Sequence, residues 1–272
     1  MVVDLEFLKK KARWVKKETL LIHRDAPETR LASSLSDIEI FTALYYGGIL
    51  KCGPKDQGVS DNDRLIISKG HGAISAYPIL ADLGFFDRKE LARVCKEGGI
   101  LGGIPDTMIP GFETINGSLG HGLGVACGAA LGLKRKDRPE NVFVLSGDGE
   151  LYEGSVWEAV MFAAEHRLDN LVLIVDNNKA CMLDFCRNIL DLEPLEEKFR
   201  VFKWHVERRD GHNLKTLCET LAALKTERAG RPKVLIADTV KGKGVPRLEN
   251  DPMSHIRNLK PEEVADIIAG LE

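Results

Sequence analysis

Two periods alternate along this chain. Runs of Val, Ile and Leu that are continuous rather than alternating occur at RLIIS (64–68), NVFVLS (141–146), NLVLIVD (170–176), WHVER (204–208) and KVLIADTV (233–240). Stretches with helical spacing separate them, at 4–25, 35–50, 75–84, 88–97, 119–135, 153–167, LEEKFRVF, 213–228 and 261–271. A continuous apolar strand is buried on both faces, and strands alternating with helices build a parallel sheet covered on both sides. The expected fold class is therefore α/β, a parallel sheet flanked by helices. No linker, repeat or low-complexity stretch divides 1–272, so a single domain is expected.

Two local patterns refine this outline. In LSDIEIFTALYYGGIL (35–50), Ser36 with Glu39 three positions on reads as a capping box. The helix at 119–135 carries glycines at 120, 124, 128 and 132. Glycine is poor in a helix interior, so this stripe should admit another backbone, either by internal helix–sheet packing or by contact with a second subunit. Residues 98–116, rich in Gly and Pro, are too irregular for an element and form a long loop of the kind that carries function.

Composition removes several function classes. The chain is 44% hydrophobic and 29% charged, enough to bury a core. The net charge of −3, from 38 basic and 41 acidic residues, offers no field for nucleic acid. KKKARWVKK (9–17) reads as the solvated face of a helix. Cysteines at 52, 95, 127, 181, 186 and 218 include no C-x-x-C pair, which suits reduced thiols in a cytoplasmic protein; Cys181 and Cys186 follow a candidate site loop but read as small buried residues. No signal-peptide pattern and no membrane-length apolar run is visible.

Candidate chemistry lies at the strand ends, where ligands bind in such folds. KGHGA follows the strand at 64–68, GDGE the strand at 141–146, and DNNKA closes the strand at 170–176. Asp148 offers a carboxylate, Asn178 an amide oxygen and Ala180 a main-chain carbonyl. Oxygen donors alone favour Mg²⁺ or Ca²⁺. The backbone N–H groups of Gly149 and Glu150 can meet a phosphate at a helix start. The acids can thus hold a metal and the metal a diphosphate.

A GDG after one strand with an Asn-Asn after the next resembles the thiamine-diphosphate motif. GDGELYEGSVWEA followed by AAEHRLDNLVLIVDNNK is similar to transketolases in particular, and LIISKGHGA, GSLGHGLGVACGAALGLK and ADTVKGKGV extend the resemblance over nearly the whole chain. The α-subunits of 2-oxo-acid dehydrogenases share the GDG and NN pair but not the EGSVWEA run. The resemblance implies the thiamine-diphosphate-binding fold of the diphosphate (PP) type, with thiamine diphosphate and a divalent cation as cofactors. It implies that Asp148, Asn178 and the Ala180 carbonyl ligate the metal. Lys69, His71, Gly149, Lys241 and His255 would surround the diphosphate and the ketol end of the substrate. Gly117 and Leu119 would touch the aminopyrimidine. Glu153 and Glu158 would lie at a subunit interface linking two active sites; without the resemblance, Glu153 is a first-turn acid favoured by the helix dipole.

A complete transketolase is considerably longer, and its second domain binds the pyrimidine end and supplies the glutamate that protonates the ring nitrogen. The resemblance therefore implies the N-terminal subunit of a split enzyme, inactive alone and paired with a pyrimidine-domain subunit as α₂β₂. Three positions depart from the family. Arg30, in TRLASSLS, stands where a substrate histidine is expected; Ile104 replaces the histidine of a GHP motif; and His121 replaces a glutamine. Ordinary ketose-phosphate chemistry should be weakened, and the planar cation of Arg30 could meet an anionic group. The readings are two-carbon ketol transfer from a ketose to an aldose or atypical acceptor, delivery of the two-carbon unit to a lipoyl or acyl-carrier thiol, and a non-catalytic scaffold.

Overall fold

The computed structural model describes residues 4–54 and 61–271. Five parallel strands form one sheet in the order β1-β2-β3-β5-β4: β1 Arg64–Ile67, β2 Val142–Gly147, β3 Leu171–Asn177, β4 His205–Asp210 and β5 Lys233–Asp238. β2 and β3 are buried at every position, as their unbroken apolar runs require. β4, at the edge, is half-buried and carries Glu207, Arg208, Arg209 and Asp210, charges that blunt an open edge.

Helices cover both faces. On one side lie α1 (Leu5–Asp25), α2 (Leu31–Ser36), α3 (Ile38–Tyr46), α4 (Ala76–Asp82) and later α9 (Leu214–Thr226), packed through Leu8, Val15, Phe41, Tyr77 and Leu221. On the other lie α5 (Gly122–Arg135), α6 (Gly154–Glu165) and α8 (Leu195–Val201), packed through Leu123, Val160, Phe199 and Trp204. The stripe Leu8, Ala12, Val15, Thr19 and Ile22 on α1 is buried, while Lys9, Lys10 and Arg13 face solvent. Lys11, from the same basic run, instead pairs with Asp82 at 2.5 Å and lies over the rings of Phe7, Trp14 and Tyr46. α11 (Pro261–Ala269) closes the chain against α1.

Three local readings change. The stretch at 35–50 breaks at Asp37 into α2 and α3, and no capping box forms. The Ser36 hydroxyl donates its one proton to Asp176 (2.7 Å) with the Ser33 carbonyl 2.9 Å away, and the Glu39 carboxylate pairs with His212 (2.9 Å), so both caps are committed elsewhere. Residues 88–97 hold a 3-10 turn at Arg88–Arg93 and not an α-helix. Two short helices, α7 (Cys186–Ile189) and α10 (Pro246–Glu249), lie in stretches without helical spacing. All six cysteines are free thiols.

Candidate functional site

The loops leaving β1, β2, β3 and β5 meet at one end of the sheet. With α2 and a 3-10 turn at Ser254–Ile256 they enclose a cleft of about 440 Å³. Eleven of the expected site residues border it: Lys69, His71, Gly117, Leu119, Asp148, Gly149, Glu150, Asn178, Ala180, Lys241 and His255. Arg30, Glu153 and Glu158 lie outside it.

Three oxygen donors share one wall. Asp148, 6% exposed, accepts from the backbone N–H of Gly149 at 2.7 Å and from that of Lys179. Burial, reinforced by the charge of Asp176, pushes its carboxyl up to about 7. Asn178 donates through Nδ2 to Asp176 at 2.8 Å, and its Oδ1 accepts from the Ala180 N–H at 3.1 Å. The Ala180 carbonyl accepts from Lys241 Nζ at 2.7 Å, and the Cys181 carbonyl from the same ammonium at 2.9 Å. Burial pulls Lys241 down to about 8. A carboxylate this poorly solvated, beside an amide and a main-chain oxygen, fits a hard divalent cation. No group of three His, Cys, Asp or Glu side chains among the described residues is placed to hold a metal, so a cation here depends on the amide and carbonyl oxygens.

Lys69 borders the cleft, and its ammonium is committed to two buried carboxylates. It is 1% exposed, 2.9 Å from Asp37 and hydrogen-bonded to Asp176. Burial drives Asp37 well above the usual carboxylate range despite the lysine beside it, whereas Asp176 is held at about 2 against its burial by Lys69, Thr239 and Ser36. Across the cleft the His71 and His255 rings meet edge to face. Burial, then the cations Lys69 and Lys241 among their neighbours, holds His71 well below its ordinary value and His255 down at about 4, so both rings are neutral near pH 7.

The three glutamates of GDGELYEGSVWEA separate. Glu150 turns inward at 3% exposure: Oε1 accepts from Ser68 Oγ (2.5 Å) and Gly120 N (2.8 Å), Oε2 from Ser146 Oγ (2.9 Å) and Gly147 N (3.3 Å). Its side chain is a structural pin, which leaves its backbone as the part it can offer to a ligand. Glu153 precedes α6 and is exposed, with Gly120 (φ +85°) tucked against its Cβ; Glu158 is exposed on α6. Arg30 is half-buried before α2, makes no side-chain hydrogen bond or ion pair among the described residues, and its charge acts on His255. Ile104 is 45% exposed and leans over Gly70 and Gly117. His121 is exposed before α5.

The glycine stripe also resolves. A Cβ on Gly120 or Gly122 would strike Glu153 or Ser68, but at Gly124, Gly128 and Gly132 it would meet open space. Internal packing therefore accounts only for the start of the stripe. The rest is an open face of α5, with Val125 exposed beside it and Met161 and Phe162 exposed on the neighbouring α6.

Sequence reasoning missed Asp176 and Asp37. The available signal was a single acid ending an otherwise apolar strand, NLVLIVD, beside the more conspicuous asparagines of DNNKA. Asp37 gave no signal beyond a polar residue in an apolar helix.

The family described as "Transketolase, thiamine diphosphate binding domain" matches residues 32–271. The chain is 37% identical over 259 residues to a subunit of the apulose-4-phosphate transketolase of Actinobacillus succinogenes, covering 94% of this chain and 93% of that one. It is 37% identical over 243 residues to the 6-deoxy-6-sulfo-D-fructose transketolase subunit SqwG of a Clostridium strain, covering 89% and 88%. The crystal structure of transketolase from Campylobacter jejuni superposes with a TM-score of 0.87 at 26% identity, over 97% of this chain but 42% of that one.

Proposed function

The chain belongs to the transketolase family, as its thiamine diphosphate binding domain, and from that premise we propose that 1–272 is one diphosphate- and cation-anchoring domain, the N-terminal subunit of a two-component transketolase. It moves a two-carbon ketol unit from a ketose, in phosphorylated form, to an aldose or atypical acceptor. The observation that carries this reading is the cleft in which Asp148, Asn178, Ala180, Lys241, His71 and His255 converge at the strand ends.

Asp148, Asn178 and the Ala180 carbonyl hold Mg²⁺, with Ca²⁺ able to replace it. Lys241 and the backbone N–H groups of Gly149 and Glu150 meet the diphosphate. Gly117 and Leu119 border the aminopyrimidine end. Thiamine diphosphate, when bound, supplies the carbon centre that carries the two-carbon unit. His71 and His255, kept neutral, can each donate one proton and accept another at substrate oxygens. Lys69 acts through its ion pairs.

The rest of the site comes from a pyrimidine-domain subunit, in an α₂β₂ assembly. Two relatives that are themselves named as transketolase subunits match this chain almost end to end, whereas it covers 37% of human transketolase, which supports the split. The open glycine face of α5, with Glu153 and Glu158 on and before α6, is the surface on which a second protomer seats. No helix among the described residues is long and apolar enough to cross a membrane. The test is ketol transfer measured for the purified chain, for the pyrimidine-domain subunit and for the two mixed. Activity is expected only in the mixture, and turnover by the chain alone would refute the split reading.

A further inference from the structure

One buried carboxylate ties the cleft together. Asp176, 0% exposed at the end of β3, accepts four side-chain donors from four separate segments. Oδ2 takes Ser36 Oγ of α2 (2.7 Å), Asn178 Nδ2 (2.8 Å) and Lys69 Nζ, the last of these ahead of the 3-10 turn Gly70–Ser75; Oδ1 takes Thr239 Oγ1, which follows β5. Its main-chain carbonyl accepts the N–H of Asp148 at 3.2 Å. The segments that carry Lys69, Asp148, Asn178 and Lys241 are thus all fastened to this residue or to its neighbour.

The amide of Asn178 shows what the fastening does. A side-chain amide can flip, exchanging its oxygen and its NH₂. Donation from Nδ2 to Asp176 forbids the flip, so Oδ1 stays on the side where it accepts from Ala180 N–H. Thr239, held on the other carboxylate oxygen and through its own N–H to the Asn177 carbonyl (3.2 Å), fixes the start of the segment that reaches Lys241. We infer that Asp176 is a positioning residue: it fixes the orientation of the Asn178 amide and the approach of the Lys241 segment, so that Asn178 presents oxygen to a divalent cation. This rests on the reading of Asn178 as a cation ligand. It adds a residue that touches neither cation nor substrate and acts through one that does. Partners of this kind typically change metal affinity by about 10- to 100-fold when removed.

The test is cation affinity, read by Mn²⁺ electron paramagnetic resonance on the full chain with saturating thiamine diphosphate. Mn²⁺ serves as an oxygen-seeking substitute for Mg²⁺. Four proteins are compared: wild type, Asp176→Asn, Asn178→Ala and the double variant. Asp176→Asn should weaken Mn²⁺ binding by about 10-fold or more, and the double variant should bind no more weakly than Asn178→Ala alone. Losses that add would mean that Asp176 acts by general stability, and would overturn the inference. A wild-type chain that binds no Mn²⁺ even with its pyrimidine-domain subunit present would instead refute the cation site itself. Should Asp176→Asn fail to fold, the wild-type chain decides without it. In the absence of metal, the Asn178 side-chain NH₂ protons should be protected from solvent exchange in an NMR spectrum. Free exchange there would show that no bond fixes the amide.

Discussion

The rings of His71 and His255 lie 4.9 Å apart, centroid to centroid, at an interplanar angle of 61°. They come from segments far apart in the chain, one after β1 and the other ahead of α11, and neither can take a proton without placing a cation beside Lys241. Two neutral imidazoles in contact are a pair of mixed donor–acceptors, not a cationic clamp. In a ¹³C–¹H titration, His255 should therefore change charge near pH 4. Arg30→Gln should raise that midpoint without restoring it to 6.5, because burial and the charge of Lys241 are the larger causes. A wild-type midpoint near 6.5 would mean the ring is solvated.

Acid should destabilise the fold through another histidine. His23 is 1% exposed, its Nδ1 lies 3.1 Å from Thr29 Oγ1, and its Nε2 accepts the Leu259 N–H at 3.4 Å, so the ring is held neutral and its pKa falls to about 4. The unfolded chain takes up this proton near 6.5 and the folded chain does not until about 4. Stability from this group is complete above 6.5 and is lost as pH falls towards 4, by about 3 kcal/mol over that window. Urea unfolding at several pH values measures the slope, and His23→Gln should flatten it.

Cation binding should release a proton. With Asp148 pushed up to about 7, the carboxyl is partly protonated at neutrality and must ionise to serve as a ligand. Cation affinity should fall by about tenfold per pH unit below that value. Titration calorimetry in buffers of different ionisation enthalpy reads the proton directly. Asp148→Ala should abolish Mg²⁺-dependent uptake of thiamine diphosphate by the complex with the pyrimidine-domain subunit, and unchanged affinity would remove Asp148 from the cation site.

Glu150→Gln separates the pin from the ligand. The amide is isosteric, but its NH₂ must face donors that the carboxylate now satisfies. A loss of about 1–3 kcal/mol is expected in chemical denaturation.

Leucine at Gly124 or Gly128 probes the open face. Beyond its chain neighbours and the helix's own backbone, no described atom lies within 4 Å of the added Cβ, and leucine is the better helix former by several tenths of a kcal/mol. The isolated chain should melt no lower than wild type, while its assembly, followed by sedimentation, should be lost. Assembly that survives both substitutions would place the subunit contact elsewhere.

The strands were readable because burial on both faces demands unbroken Val, Ile and Leu, and little else in a sequence has that pattern. The cleft was readable for a related reason: glycines and polar residues cluster where those runs stop. What the sequence hides is direction. Asp148, Glu150 and Glu153 stand within six positions, and only the structure shows that one faces the cleft, one the interior and one the solvent. Ser36 carries the chemistry of a cap but spends its hydroxyl on Asp176, 140 positions away. Lys69 finds Asp176 across 107. Such pairings depend on tertiary placement that no local spacing encodes. The three positions that depart from the family, Arg30, Ile104 and His121, show the same limit: they were visible as letters, and only Ile104, leaning on Gly70 and Gly117, acquires a contact that fixes its place.

The bare stretch of α5 has a thermodynamic corollary. Ordinary surfaces surrender side-chain rotamer freedom when covered, up to about 1.5–2 kcal/mol for each long residue. Gly124, Gly128 and Gly132 have no rotamers to surrender. Covering them costs only desolvation of the helix backbone, which leaves shape match as the main term deciding what can settle there.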